Sequence, residues 1–329
     1  MQSMRTGAFL ALTCASIVLS SCSDPNKNKL YFRPAKGDSR TVVTESKMNM
    51  KMNLMGQSMN VTHDQSQRLV FDVEDVSPEG MVTIKATFER GKVATTNSLM
   101  SQLGAMTGGM LPVDGGTAEA NKLIQKLEGK SFTVKVGRDG KMSEISGLEA
   151  LSTEMLAGMD TASPAQAQAV GLASGMVDRD TLQLVLQNLF IQAPDLPLKN
   201  GDTFTVTGSR EVAAMRVPVQ YTENYTVTGW DDQKAAMSVT TDTSIAISGA
   251  DVANAMGMGD SPAGGMLNMS MNLKGTATGT LTADRATGWM TVRDEKMKLT
   301  GSMDIAVGGQ KMNLPVDTDV NVRVETFSK

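Results

Sequence analysis

Histidine and cysteine are almost missing from this 329-residue chain, which holds one of the first and two of the second. Both cysteines, Cys14 and Cys22, fall within the first 22 residues. Everything after them lacks a thiol, so disulfides and cysteine nucleophiles are excluded there. A single histidine, His63, cannot build a His-rich zinc site. It lies in "VTHDQS". Its neighbour Asp64 is no dyad partner, because adjacent residues of a strand point to opposite faces. The expected place for His63 is the surface. No Walker loop, G-x-G-x-x-G or G-x-S-x-G is present. Basic charge is also lacking: 31 Lys and Arg stand against 35 Asp and Glu, a net charge of −4. That balance does not suit nucleic acid as a partner. Asp202 and the pair Asp317 and Asp319 could meet a hard cation, but no loop offers the six or more oxygens such an ion needs. No catalytic residues, cofactor or metal ligands emerge, and the chain reads as a non-enzyme. A hydrolase using two carboxylates distant in sequence leaves no motif and stays open as an alternative.

Long apolar runs are absent but for one. "GAFLALTCASIVLS", residues 7–20, follows a polar start carrying Arg5. It is too short for a membrane-spanning helix, which needs about 20 residues, and has the proportions of a signal peptide. It ends in Leu19-Ser20-Ser21-Cys22. These four residues resemble the signal end of bacterial lipoproteins, an aliphatic residue and two small ones before a cysteine. The resemblance implies cleavage before Cys22, lipidation of its thiol and attachment to the membrane through N-terminal acyl chains. Two or three chains anchor stably where one does not. Ser23 in place of aspartate resembles outer-membrane proteins of that class, so the expected location is the bacterial cell envelope at the outer membrane. Residues 1–21 are then signal and 22–36 a lipidated tether of at most about 50 Å when fully extended. Leu30, Tyr31 and Phe32 are placed where the tether meets the body.

The rest is rich in strand patterns. "KGDSRTVV" (36–43) and "NGDTFTVT" (200–207) both open with a Gly-Asp turn and run into alternating Thr and Val. Each half later carries a hairpin with glycine two residues before methionine, Gly140 and Met142, then Gly288 and Met290. The pattern predicts an internally duplicated β-rich body with halves at 37–145 and 200–329. Helices are expected at about 117–128 and across a helical segment, 146–199. There Ser146 to Glu149 reads as a capping box, Ser163-Pro164 as a helix start and Asp178 as a cap. Leu182, Val185, Leu186, Leu189 and Phe190 form an apolar stripe. Stretches 103–116 and 257–266, rich in Gly and Met, read as loops. Pro315 in the last strand predicts an edge or a bulge. The fold class is α+β, mainly antiparallel β with helices over one sheet face.

The Gly-Asp openings, "GKSFTVKVGRDGKMSEISGLEAL" and "LPLKNGDTF" resemble a bacterial lipoprotein family carried only as a domain of unknown function. The match covers residues 36–329 and implies a fold, with no activity. A curved antiparallel sheet with a helical lid is also similar to periplasmic lipid carriers.

Methionine is abundant, at 26 residues. In "KMNMKMNLM" Met48, Met50, Met52 and Leu54 alternate with Asn and Lys; Met269 and Met271 repeat this in "NMSMNL", and Met297 in "EKMKL". Three readings fit. Methionine can simply fill a core. It can line an adaptable apolar surface for a lipid-like ligand or an envelope protein partner, since thioether side chains reshape cheaply. It can also hold copper(I), which soft thioethers select. The ligand-lining candidates are Met48, Met50, Met52, Leu54, Met269 and Met271. The functional expectation is a lipid-anchored envelope protein binding an apolar ligand or partner. The alternatives are a copper(I) protein and a purely structural lipoprotein.

Overall fold

The computed structural model describes residues 28–54, 57–97, 116–157, 164–174, 176–187, 189–212, 217–247, 268–307 and 310–329. Cys22 and the signal stretch, Ser163, and the Gly- and Met-rich stretches 103–115 and 257–266 lie outside them.

Alternation of side chains builds strand after strand. In the last one, Leu314, Val316 and Thr318 are buried while Pro315, Asp317 and Asp319 are exposed, the period of two that one buried face requires. The strands are β1 (Ser39–Leu54), β2 (Gln57–Val76), β3 (Val82–Asn97), β4 (Ser131–Val136), β5 (Met142–Ser146) and β6 (Thr203–Val212). They continue with β7 (Val217–Trp230), β8 (Lys234–Ile247), β9 (Asn268–Asp284), β10 (Met290–Val307) and β11 (Gln310–Ser328). The described helices are α1 (Thr117–Gln125), α2 (Leu148–Leu156), α3 (Pro164–Ser174) and α4 (Arg179–Gln187). None is long and apolar enough to cross a membrane.

All strands join one sheet in the order β5-β4-β3-β2-β1-β11-β10-β9-β8-β7-β6, and neighbouring strands pair antiparallel. The first half runs outward from β1, the second inward from β6, and the β1–β11 ladder joins them. β2 has 20 residues, a span of roughly 65 Å.

The sheet is strongly curled. The amide of Phe32 donates to Arg138 O in the β4–β5 turn, while the next amide, Arg33, donates to Thr287 O in the β9–β10 turn. Those turns stand six strand positions apart, roughly 29 Å in a flat sheet. Helix α4 touches both outermost strands, β5 and β6, and so spans the open seam. The core fills this end of the curl. Phe32, Phe71, Phe190 and Trp289 meet there, with Phe32 edge-on to Phe190 and to Trp289 at 4.9 Å.

The Gly-Asp turns before β1 and β6 make the same bonds. Gly37 N and Gly201 N donate to Val73 O and Val227 O, which lie on the next strand, and Asp38 O and Asp202 O accept from those same residues' amides. Asp38 and Asp202 each also accept the amide three residues back through a carboxylate oxygen. Both glycines have φ +88, a conformation that favours glycine.

Several local expectations are corrected. Ser146 does not cap α2. It is the last residue of β5, paired with Thr133, and Gly147 in left-handed conformation starts the helix with no side-chain cap bond. Helix α1 stops at Gln125, and tighter turns carry the chain to Gly129. Leu189 and Phe190 lie beyond α4, yet stay buried, Phe190 in a β-bridge with Trp289. β11 is central in the sheet rather than an edge. Its ladder with β1, however, ends at Met52↔Val316, so Pro315 sits where no β1 carbonyl needs its missing N–H.

Gly91 on β3 allows close approach of the helical layer. A Cβ there would lie 2.6 Å from Ile124 Cγ2 of α1 and 3.1 Å from Met176 Sδ. Gly91→Val should cost about 1–3 kcal/mol through overpacking, read as a lower denaturant midpoint with an unchanged m-value.

Candidate functional site

The inward register of the central strands can be read row by row. Met48 on β1 faces His63 on β2 and Val320 on β11. Met50 faces Val61 and Thr318, and Met52 faces Met59 and Val316. On β10, Met297 opposes Val320 and Leu299 opposes Thr318. Lys47 and Lys51 on the other face are exposed and Asn49 between them is half-buried, while Met48 and Met50 are half-buried and Met52 is buried. Thioether side chains therefore occupy the inner face of the sheet. Gly91 shares this face through its pairing with Gln67, so the helices cover one end of it and the methionines lie farther along.

Met52, Leu273, Leu299 and Val316 form a buried cluster of their own, with Met50, Val61, Ile245, Met271, Met297 and Met303 packed on it. Met50, Met52 and Met271 thus come together. Met48 stands outside this cluster. Leu54 and Met269 occupy positions on β1 and β9, and their side chains lie outside the described ones.

A polar belt separates this cluster from the main core. Arg293, Glu223 and Glu295 have side chains only 4, 8 and 9% exposed. Arg293 donates to Glu295 Oε2 at 2.7 and 2.9 Å and to Glu223 Oε1 at 3.1 Å. Tyr225 donates to Glu223 Oε2 at 2.5 Å and Thr241 to Glu295 Oε1 at 3.0 Å. Burial pushes the Tyr225 phenol far above its ordinary range, against the pull of the Arg293 charge. The two carboxylates hold the Arg293 guanidinium above its usual range despite burial, which acts the other way. Beside Glu223 and Tyr225 is a cavity of about 10 Å³, also lined by Phe190 and Gln192, the size of one water. Nearer the methionines, the buried Thr318 hydroxyl has no hydrogen-bond partner among the described residues; its strand neighbours are Met50 and Leu299.

His63 is not a surface residue. It is half-buried on the inner face, its Nδ1 2.9 Å from Thr95 Oγ1. Burial holds its pKa below the ordinary imidazole range, opposed by Gln65 and Asp64. This placement is invisible in sequence, because His63 and Met48 meet only through the β1–β2 register. No motif announces the polar belt. Its signal in the sequence is alternation: Arg293, Glu295, Met297 and Leu299 occupy every second position along β10, continuing the inward apolar face into charged residues.

An open groove of about 540 Å³ crosses β7, β8 and β9, lined by Tyr221, Thr243, Lys274 and other mainly polar residues. The candidate methionines do not line it. Asp317 and Asp319 lie on the exposed face of β11 and Asp202 in the turn before β6, bonded to Lys199 N. Among the described residues no group of three His, Cys, Asp or Glu is placed to hold a metal ion.

The model of a family of unknown function (DUF6263) matches residues 79–290. No curated protein matches the chain. Among solved structures, one of lipid–protein interactions in lipovitellin aligns with TM-score 0.44 and 10% identity. It covers 90% of this chain and 26% of that one, so this chain spans about a quarter of its length. An outer-membrane channel from Pseudomonas putida F1 aligns with TM-score 0.23 and 9% identity, over 90% of this chain and 98% of that one. The translocator domain of the autotransporter NalP from Neisseria meningitidis gives TM-score 0.18 and 5% identity, over 91% of each chain. Likeness at these scores carries no functional weight.

Proposed function

This chain belongs to the DUF6263 family of unknown function, and from that premise we propose a lipid-anchored, non-enzymatic protein of the bacterial envelope that holds an apolar, lipid-like ligand at the methionine end of its sheet. The observation that carries this reading is the incomplete burial of Met48, Met50, Met271, Met297 and Met303 on the inner face. The main core, at the helical end, is sealed far more tightly. Flexible thioethers on a half-open concave surface suit an occupant of variable shape. The orphan hydroxyl of Thr318 supplies a donor for an ester or carboxylate oxygen on such a ligand.

The anchor is Cys22, at the outer membrane. The tether is shorter than the sequence suggests, because Asn28 O already accepts from Leu198 N. Five residues separate Cys22 from Asn28, a reach of at most about 22 Å over six chain steps, which holds the body close to the bilayer. We also read the two β halves as copies of one unit, supported by the matched bonds of their Gly-Asp turns.

The test uses full-length protein extracted from its own membranes. Native mass spectrometry should show bound lipid, and a fluorescent polyene fatty acid should bind and be displaced by that lipid. Met50→Asp with Met297→Asp should weaken the fatty acid at least tenfold while the far-UV spectrum is kept. Cys22→Ser should move the protein to the soluble fraction without changing fatty-acid affinity. Lipid-free protein that also ignores the fatty acid would end the binding reading; capture of an envelope protein instead would replace the ligand by a partner.

A further inference from the structure

The one histidine of the chain lies directly across from the methionine strand. Met48 pairs with His63 in the β1–β2 ladder, and Met50 is the next residue on the same face. Directly opposite residues have Cβ atoms about 4.5–5.5 Å apart, and diagonal neighbours stand about 7–8 Å apart. Two thioether side chains with three rotatable bonds each, and one imidazole, can close that triangle on a single ion. We propose that His63, Met48 and Met50 form a copper(I) site on the inner face of β1 and β2.

The donor set selects the metal. Thioether sulfur favours soft copper(I), and imidazole suits copper as well. Met48, His63 and Met50 bring no carboxylate, so the set offers little to calcium or magnesium, which take oxygen ligands. Adjacent Asp64 is exposed on the opposite face. The ring Nδ1 lies 2.9 Å from Thr95 Oγ1, the kind of outer bond that orients a ligating histidine, and Gln65, which also bonds the ring, would give way to the ion. All three side chains are half-buried, which gives an ion a way in. Met50 also packs on the apolar cluster, whose other methionines are deeper or farther from His63. Met52 is buried in the apolar cluster, and Met297 lies two strand spacings from Met48, roughly 9–10 Å. The site needs no lipid ligand and stands whether or not one binds.

The experiment is an anaerobic titration of the metal-free full-length protein with copper(I) in the presence of bicinchoninate. The wild type should withdraw one equivalent from the competitor. His63→Gln and the near-isosteric Met48→Leu should each weaken binding at least tenfold, while Met237→Leu, in the main core, leaves it unchanged. X-ray absorption of the copper-loaded wild type should show nitrogen and sulfur neighbours, and His63→Gln sulfur alone. The proposal fails if the wild type takes no copper from bicinchoninate. It fails equally if either ligand variant keeps wild-type affinity, or if Met237→Leu loses as much as they do, since copper would then be held elsewhere or lost through unfolding.

Discussion

Arg293→Met should lower the unfolding free energy by about 3–5 kcal/mol, the cost of removing one partner from a buried ion pair. Methionine replaces the side chain's length but none of its charge. Glu223 and Glu295 would lose the guanidinium that bonds both and would be left with one hydroxyl each, from Tyr225 and Thr241. Little solvent reaches them to compensate, since both are under a tenth exposed. Removing all three charges together, as Glu223→Gln, Arg293→Met and Glu295→Gln, should cost much less than the single change, because apolar or neutral replacement of a whole buried network is often tolerated. Urea denaturation of the two variants makes the comparison; equal losses would show that shape, not charge, governs the belt. The same cluster sets an alkaline limit. The Tyr225 phenol is raised above its unfolded value of 10.0 by burial. Its contribution to stability is therefore fully present below pH 10 and lost as the pH rises beyond that. Tyr225→Phe should remove this part of the alkaline decline.

The belt also explains what could and could not be read in advance. Strand placement was legible wherever Val, Thr and Met alternate with polar residues, since one buried face imposes that period. β1 and β11 are the plainest cases. Helix starts were harder. "SGLE" carries a capping box on paper, yet Ser146 is held by the β4 ladder, and tertiary pairing outweighs a local cap. The site was half legible. The inward turn of Met48, Met50 and Met52 follows from alternation alone. Their meeting with His63, with Met271 and with Met303 depends on register and on curl, which arise from pairings that range from the β1–β2 hairpin to strands at opposite ends of the chain. Arg293 and Glu295 sit at inward positions where a local pattern expects apolar side chains. Only the approach of Glu223 from β7, 70 residues away in the chain, makes them acceptable there.

Phe32→Ala should cost about 3–5 kcal/mol, the usual loss for a buried phenylalanine, although the residue stands within a stretch that reads as tether. Phe32 is 3% exposed and meets Phe190 and Trp289 edge-on at 4.9 Å. Phe190 belongs to the segment entering β6 and Trp289 to the β9–β10 turn, so one ring holds the helical segment and the second half against the chain entering the first. The backbone on either side ties in the two turns through Arg138 O and Thr287 O. Gly288 is part of the same fit, as a Cβ there would lie 2.1 Å from Tyr31 O. Phe32→Leu, which keeps most of the volume, should cost far less, about 1.5 kcal/mol or below. The contrast is measurable by thermal and denaturant unfolding. A chain starting at Asn28 should match the full chain in stability, whereas one starting at Pro34 should fall at least as far as Phe32→Ala. If removal of residues 28–33 proves neutral, the aromatic clasp does not close the curl, and the short tether inferred for the membrane anchor would have to lengthen accordingly.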